Sequence, residues 1–209
     1  MARKKQVRSE QTKQDILNAA GRLFAAKGYD AVTMREVAKE AGCSHTAIYI
    51  YFEDKEALLH ELSIPALTEL QLQIEEKVSG KLEPEEALRQ ISLDFIRFCL
   101  IHRNMHRIFF EARSVRVDEA EPELEINRVR NGMFRLLMQA VRQCLDLPEG
   151  SERLLSATRI YFYLLHGIVG TYQLSEESAE ELMDRLLPTF REAIEVLLLG
   201  FRAQHAPDK

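Results

Sequence analysis

Three residues with metal-binding side chains recur at helical spacing near the middle of this 209-residue chain. Cys99, His102 and His106 stand at positions i, i+3 and i+7, so a continuous helix would carry a thiol and two imidazoles on one face. We expect the helix to be interrupted near Arg103, however, and no fourth ligand accompanies these three. The sequence therefore predicts no metal site and no bound cofactor.

Residues that could perform catalysis lack the spacing that catalysis requires. The sequence contains no G-x-S-x-G, H-E-x-x-H, phosphate-loop or Cys-x-x-Cys motif. Asp94, Glu111 and His166 could share a pocket, but nothing in the sequence aligns them as acid, base and orienting group. We expect a protein that acts by binding, with a helical enzyme as an unfavoured alternative.

The elements that hold these residues are predicted to be helices throughout. Apolar residues repeat at helical period in almost every segment, and no stretch alternates as a half-buried strand would. Thr12 and Thr33 begin capping boxes, Pro65 should kink the fourth helix, and Pro188 should break or kink the last. Cap and stop signals predict an all-α fold of about nine helices, at 12–27, 34–41, 45–51, 54–78, 84–102, 104–113, 122–147, 151–174 and 177–202.

Composition and charge narrow the class of protein. The hydrophobic content of 46% is too high for a disordered chain, and no apolar run reaches the roughly 18 residues of a membrane span. Three scattered cysteines and an N-terminus without an apolar signal segment predict a cytoplasmic protein. Nine Lys/Arg and five Asp/Glu give residues 1–52 a charge of +4, whereas 19 and 28 give residues 53–209 a charge of −9. A basic first segment suits a phosphate-bearing partner, although a solvated basic tail would carry the same charge.

Two short predicted helices around Gly42 have the dimensions of a helix-turn-helix motif. Their buried positions are apolar, with small residues where the helices cross: Val37, Ala38, Ala41, Ile48 and Phe52. His45, Thr46 and Tyr49 are left on the outer face, where their donors and acceptors could reach base edges in a major groove. The same three residues would also suit an ordinary surface patch on a helical hairpin.

Residues 12–62 also resemble the N-terminal domain of the tetracycline-repressor (TetR) family. The likeness lies in Ile16-Leu17-x-Ala19-Ala20, Leu23-Phe24, Lys27-Gly28-Tyr29, Thr33, Ala38-x-x-Ala41-Gly42, Ser44, Tyr49-x-Tyr51-Phe52 and Lys55-Glu56-x-Leu58. Cys43, Thr46 and Ile50 depart from the residues usual in the family. The resemblance implies a DNA-binding domain at residues 1–58 and an effector-binding and dimerisation domain at residues 59–209.

Roles for individual side chains are implied by the same resemblance. Thr33, Tyr51 and Lys55 would contact phosphates, and Arg35 would approach the DNA backbone or a base. The residues that would face the groove are Ser44, His45, Thr46 and Tyr49. Packing beside Phe52 is the alternative for Tyr51, and a solvated position is the alternative for Lys55. A basic arm before the first helix, flexible without DNA, would comprise Arg3, Lys4, Lys5 and Arg8.

The second part of the chain contains a helix, predicted at 84–102, that is apolar around most of its circumference. It resembles the TetR-family helix that lines the effector pocket, with core packing as the alternative for each residue. An acyl-type carboxylate or thioester would suit the Arg and His side chains of such a pocket. The implied pocket residues are Phe95, Phe98, Cys99, His102, Phe109, Phe110, Arg113, Phe134, Leu137, Phe162 and His166.

The resemblance to the TetR family implies that the last two long helices pair with their copies in a second subunit. Glycines three residues apart would allow close approach of these helices, with an intrachain core as the alternative. The implied interface residues are Gly167, Gly170, Phe190, Ile194 and Leu197. The resemblance thus implies a homodimeric repressor, released from a palindromic operator by a small, largely apolar effector. The alternative is a DNA-binding protein of the same fold that takes no small ligand.

Overall fold

The computed structural model describes residues 2–103 and 124–204, and of residues 2–5 only the helical backbone. Within these ranges the chain is helical and contains no strand, so the all-α prediction is confirmed. The helix predicted at 104–113 lies outside the described residues. The described helices are α1 (Ala2–Lys27), α2 (Met34–Glu40), α3 (His45–Ile48), α4 (Lys55–Ser79), α5 (Pro84–Ile101), α6 (Glu125–Leu145), α7 (Glu152–Thr171) and α8 (Ala179–Ala203).

The chain divides into two compact units, Met1–Pro65 and Ala66–Lys209. Helix α4 belongs to both, because it begins at Lys55 and ends at Ser79. The division falls seven residues after residue 58, where the sequence predicts the boundary between the two domains. The DNA-binding role of the first domain and the effector-binding role of the second remain predictions. No described helix is both long enough and apolar enough to cross a membrane.

Helix α1 begins ten residues earlier than predicted. Residues 2–11 contain neither glycine nor proline and are rich in residues with good helix propensity, so nothing stops the helix from extending upstream. Thr12 is therefore not a cap, and its Oγ1 donates to the carbonyl of Arg8, 2.9 Å away, inside the helix. The prediction of an arm before the first helix is wrong, since Arg3, Lys4, Lys5 and Arg8 are residues of α1.

The first unit is held together by the apolar faces of α1 to α4. Ile16, Val37 and Ile48 are fully buried, and α2 packs against both α1 and α3. Thr33 and Glu36 form the predicted capping box: the Thr33 N–H donates to Glu36 Oε2 at 2.9 Å, and the Glu36 N–H donates to Thr33 Oγ1 at 3.3 Å. Gly42 has a φ of +71°, which explains why glycine follows α2.

Helix α5 is the centre of the second unit, where it packs against α6, α7 and α8. It ends at Ile101, close to the predicted break at Arg103. The guanidinium of Arg103 donates to the carbonyls of Ser175 and Glu177, and thereby ties this end of α5 to the segment before α8. Pro188 lies inside α8, which continues from Ala179 to Ala203, so a break at Pro188 is excluded.

Candidate DNA-binding surface and ligand cavity

A recognition face, consisting of Ser44, His45, Thr46 and Tyr49, lies on α3 and its two flanking residues. All four residues are exposed. Ile48 and Phe52 anchor α3 and the residues after it to the core of the first unit, because both side chains are buried. The Phe52 N–H also donates to the Ile48 carbonyl at 3.0 Å. Ser44 caps α3 by accepting the Ala47 N–H at 3.1 Å, and α3 ends at Ile48, three residues before its predicted end.

His45 and Tyr49 support each other on this face. They are one helical turn apart, their rings meet edge to face at 5.3 Å, and Tyr49 Oη lies 3.5 Å from His45 Nε2. Tyr49 is still 47% exposed. The pair therefore presents a hydroxyl, an imidazole and an aromatic edge in a fixed arrangement, which suits contact with bases or phosphates in a major groove.

Thr33 and Arg35 lie at the start of α2, and both are exposed. The hydroxyl of Thr33 donates to Glu36 Oε2 at 2.9 Å, the oxygen that also accepts the Thr33 N–H. Both donors of Thr33 are thus engaged by a carboxylate that also pairs with Lys27 at 3.0 Å. This geometry favours a capping role for Thr33 over donation to phosphate.

Lys55, predicted to contact phosphate, is engaged inside the first unit. Its Nζ donates to the carbonyls of Tyr29 at 2.8 Å, Val32 at 2.9 Å and Asp30 at 3.4 Å. The same ammonium lies 4.3 Å from the centre of the Tyr29 ring. An ammonium has three N–H donors, and three carbonyls take them up. The structure therefore contradicts a free phosphate-binding ammonium at this position.

Tyr51 occupies an intermediate environment beside the buried Phe52. Ser9 of α1 donates to its hydroxyl oxygen at 3.4 Å. The contact joins the early part of α1 to the segment after α3, so Tyr51 has a packing role in addition to any contact with DNA.

A cavity that is partly open to solvent lies within the second unit. Its walls come from α4, α5, α6 and α7 and are almost entirely apolar. The described residues that line it are Ile74, Ile91, Ser92, Phe95, Arg130, Met133, Phe134, Leu137, Phe162 and Leu165.

Two polar side chains interrupt the apolar walls. Ser92 donates to the Leu88 carbonyl at 2.6 Å, which leaves its oxygen to accept from Tyr161 Oη at 2.7 Å. Arg130 is only 7% exposed, and its guanidinium donates to Asn127 Oδ1 at 3.0 Å. Burial lowers the pKa of Arg130 from its usual value, because desolvation disfavours the charged form. The cavity thus combines an apolar interior with one charged group among its described lining residues.

Comparison with known proteins bears first on the recognition face. Residues 16–62 match the model of bacterial regulatory proteins of the tetR family. The transcriptional regulator AcrR of Shigella flexneri is 29% identical over 157 residues, which cover 70% of either chain. The chain is thus similar to regulators of the TetR family. It is a DNA-binding transcriptional regulator, and the relatives that it resembles are regulators rather than enzymes.

Solved structures of TetR-family regulators share the whole fold. FadR of Bacillus subtilis in complex with stearoyl-CoA superposes with a TM-score of 0.60 at 21% identity, over 90% of this chain and 98% of that one. FadR of Thermus thermophilus in complex with lauroyl-CoA gives 0.60 at 17% identity, over 94% and 96%. At this identity the likeness concerns the fold alone.

Part of the predicted set of pocket residues lines the cavity. Phe95, Phe134, Leu137 and Phe162 line it. Phe98, Cys99, His102 and His166 are not among its described lining residues, which corrects those four predictions. Phe109, Phe110 and Arg113 lie outside the described residues.

Different contacts account for the four corrected positions. Cys99 is fully buried in the core, and burial raises the pKa of its thiol. The rings of Phe98 and His102 pack together at 4.6 Å, and His166 lies parallel to Phe162 at 6.3 Å. Burial lowers the pKa of His102 and of His166. Packing alone therefore explains the position of each of these four side chains.

Arg130 was not predicted, although the sequence contains a signal for it. Ile126, Arg130, Met133, Phe134 and Leu137 follow helical spacing on one face of α6. A charged residue inside an apolar stripe needs a reason for its burial, and such a residue marks a site more sharply than the aromatics around it.

The structure describes two of the three candidate metal ligands and all of the predicted interface residues. No group of three potential ligands occurs within the described residues, and His106 lies outside them. Gly167 and Gly170 are exposed on α7, and Leu197 is half-buried. Phe190 and Ile194 are buried within their own subunit, so they belong to the intrachain core instead of an exposed interface.

Proposed function

We propose that this regulator is a homodimeric repressor that leaves a palindromic operator when a small, largely apolar effector with an anionic head occupies the cavity of the second unit. The observation that carries the proposal is the cavity itself. An apolar cavity with a buried guanidinium in its wall is the kind of site in which proteins bind small molecules.

The lining of the cavity suits an alkyl or acyl chain. Removing apolar surface from water is worth about 25 cal/mol per Å², so each buried methylene contributes about 0.8 kcal/mol. The apolar residues that line the cavity would remove the surface of such a chain from water, and few polar groups would have to be desolvated. The complexes of the two FadR proteins with stearoyl-CoA and lauroyl-CoA support an acyl ligand for this fold.

Arg130 is the reason for proposing that the effector carries a negative charge. A guanidinium within a largely apolar cavity attracts a carboxylate, thioester carbonyl or phosphate more strongly than it would in water, and it can form two parallel hydrogen bonds to a carboxylate. Ser92 contributes less, because its proton is already donated to Leu88. A fatty acid or its thioester fits these groups better than a neutral hydrocarbon.

Dimerisation through α7 and α8 is part of the proposal. Ile160 and Tyr163 of α7 and Val196 and Leu199 of α8 are large apolar residues that are exposed in the single subunit. Gly167 adds a flat position on α7, since no described atom, apart from its chain neighbours and the backbone of its own helix, lies within 4 Å of the place where its Cβ would be. A second copy would cover this apolar surface, and a two-fold dimer would match a palindromic operator.

Helix α4 is the proposed link between the effector and DNA. Near its start, Lys55 binds the carbonyls of the first unit, and further along, Ile74 lines the cavity. In the second unit Gln71 approaches α6 so closely that a Cβ on Gly132 would lie 2.9 Å from Gln71 Nε2. A ligand that displaces α6 would push on α4, and a dimer tolerates little change in the spacing of its recognition faces.

The test uses DNA that flanks the gene of this protein. Footprinting with the full-length protein should reveal one two-fold protected site, and dodecanoate or lauroyl-CoA should abolish the protection. The neutral 1-dodecanol should act at least tenfold more weakly, and Arg130→Met should remove this preference for the anion. Protection that no acyl compound disturbs would favour the alternative, a DNA-binding protein of this fold without a small ligand.

A further inference from the structure

Ile50 is a large apolar side chain that the first unit leaves outside. It is 79% exposed, more than Tyr49 or Val7 in the same unit. Its backbone is nevertheless fixed, because its N–H donates to the Ala47 carbonyl at 3.1 Å and the next N–H, of Tyr51, donates to the Ile48 carbonyl at 3.1 Å. An isoleucine is therefore held rigidly in solvent, directly beside the recognition face.

The fold gains little from this residue. Ile48 and Phe52, on either side, supply the buried contacts of the segment. A branched Cβ also restricts the Ile50 side chain to few rotamers, so contact with a partner would cost little conformational entropy. An exposed and preorganised apolar group suits a partner that presents an apolar group of its own at that place.

The partner at this surface is the DNA major groove, where the apolar group offered by the base edges is the C5-methyl of thymine. His45, Thr46 and Tyr49 carry donors and acceptors for polar edges, whereas Ile50 can make no hydrogen bond through its side chain. We propose that Ile50 packs against the C5-methyl of one thymine in each half-site and so determines the base preference there. The proposal rests on the DNA-binding role of the family and not on the effector.

The experiment removes the methyl group from the DNA. Duplexes are first selected from a random-sequence pool with the full-length protein, and each thymine of a selected duplex is then replaced by deoxyuridine together with its counterpart in the other half-site. For the unaltered protein, one such pair should lose about threefold to fivefold in affinity per half-site, or roughly tenfold to 25-fold in all, the effect of two buried methyl groups. Ile50→Ala should lose a similar combined factor on the thymine duplex and nothing more on the duplex with both deoxyuridines.

A matched variant and a folding check separate this contact from general effects. Leu72→Ala removes another exposed apolar side chain, on α4, and should retain the full deoxyuridine penalty. Ile50→Ala should melt at the same temperature as the unaltered protein, because the side chain is mostly in solvent.

Two results would overturn the proposal. One is a selected duplex in which no thymine is sensitive to loss of its methyl group. The other is a deoxyuridine penalty that Ile50→Ala retains at every position. Failure to enrich any duplex would refute the DNA-binding role together with this contact, whereas enrichment without a response to acyl compounds would count against the effector alone.

Discussion

The ammonium of Lys55, at the start of α4, lies 2.8 Å from the backbone carbonyl oxygen of Tyr29 and directly over the ring of the same tyrosine. The segment after α1 ends its helical hydrogen bonding at Gly28, so its carbonyls need donors from elsewhere. Lys55 provides them from α4. This relationship makes Lys55 a part of the architecture that presents the recognition face.

Removal of the Lys55 ammonium should therefore destabilise the first unit. Lys55→Met keeps the aliphatic stem but leaves the Val32 carbonyl without its donor and the Tyr29 carbonyl with only the Val32 N–H, 3.4 Å away. This loss should cost about 1–3 kcal/mol in the free energy of unfolding by urea. Lys81→Met, at an exposed loop position, should change it little. At temperatures where Lys55→Met is folded, the salt dependence of its DNA affinity should be the same as for the unaltered protein. If the slope of log affinity against log salt concentration were smaller by about one unit, Lys55 would contact a phosphate after all.

Tyr49 should contribute directly to DNA affinity. Its side chain is nearly half exposed on the recognition face and is steadied by His45. Tyr49→Ala should weaken binding to a selected duplex by about 1–3 kcal/mol, measured by fluorescence anisotropy. Tyr49→Phe is the matched control, since it retains the ring and removes only the hydroxyl near His45. Undiminished affinity in a folded Tyr49→Ala protein would exclude Tyr49 from the contact surface.

The capping box at α2 predicts a dependence of stability on pH. The pKa of Glu36 falls from 4.5 to about 2, chiefly because its carboxylate accepts the Thr33 N–H and also binds Lys27 and the Thr33 hydroxyl. The folded-state pKa is below the unfolded one, so this stabilisation is present above about pH 4.5 and is lost as the pH falls toward 2. Glu36→Gln should therefore lower the melting temperature clearly at pH 7 and less at pH 3. Glu53→Gln, at an exposed site, serves as control, and an equal deficit for Glu36→Gln at both pH values would contradict the assignment.

The exposed apolar surface of α7 and α8 predicts the oligomeric state. Gly167 has room for a side chain in its own subunit, so the effect of a substitution there must come from a partner. Gly167→Glu and Gly170→Glu should be folded monomers in sedimentation experiments, because a dimer would bury an unpaired charge at a cost of several kcal/mol. Gln143→Glu, exposed on α6, should remain dimeric. Dimeric Gly167→Glu and Gly170→Glu proteins would place the interface elsewhere.

Local signals in the sequence were sufficient for most helix boundaries. Thr33, Ser44 and Gly42 act on backbone groups within four residues, so their effect can be deduced without the fold. The start of α1 could not be placed, because residues 2–11 contain no signal that stops a helix. The contacts of Lys55 also escaped prediction, since its acceptors are main-chain carbonyls brought near only by the tertiary fold.

The sequence also could not show which face of α8 is buried within the subunit. The helix has apolar residues on more than one side, and helical period alone cannot separate the side that packs inside the subunit from the side that remains exposed. Phe190 and Ile194 are on the inner side, whereas Val196 and Leu199 are on the outer. In the cavity, the aromatic lining was foreseen in part, and the buried Arg130 was not.

The cavity should accept an effector that weakens DNA binding, and filling the cavity should abolish that response. Leu137→Trp adds bulk to a lining position of α6, while Gln139→Trp adds the same group to an exposed position of the same helix. Both variants should bind a selected duplex as the unaltered protein does, because neither touches the recognition face.

The most direct test is a titration of these three protein–duplex complexes with lauroyl-CoA, monitored by fluorescence anisotropy. The unaltered protein and Gln139→Trp should leave the DNA, with a change in affinity of at least tenfold, or about 1.4 kcal/mol of coupling. Leu137→Trp should stay bound throughout. An equal response of Leu137→Trp, or no response of the unaltered protein to acyl chains of any length, would contradict the account.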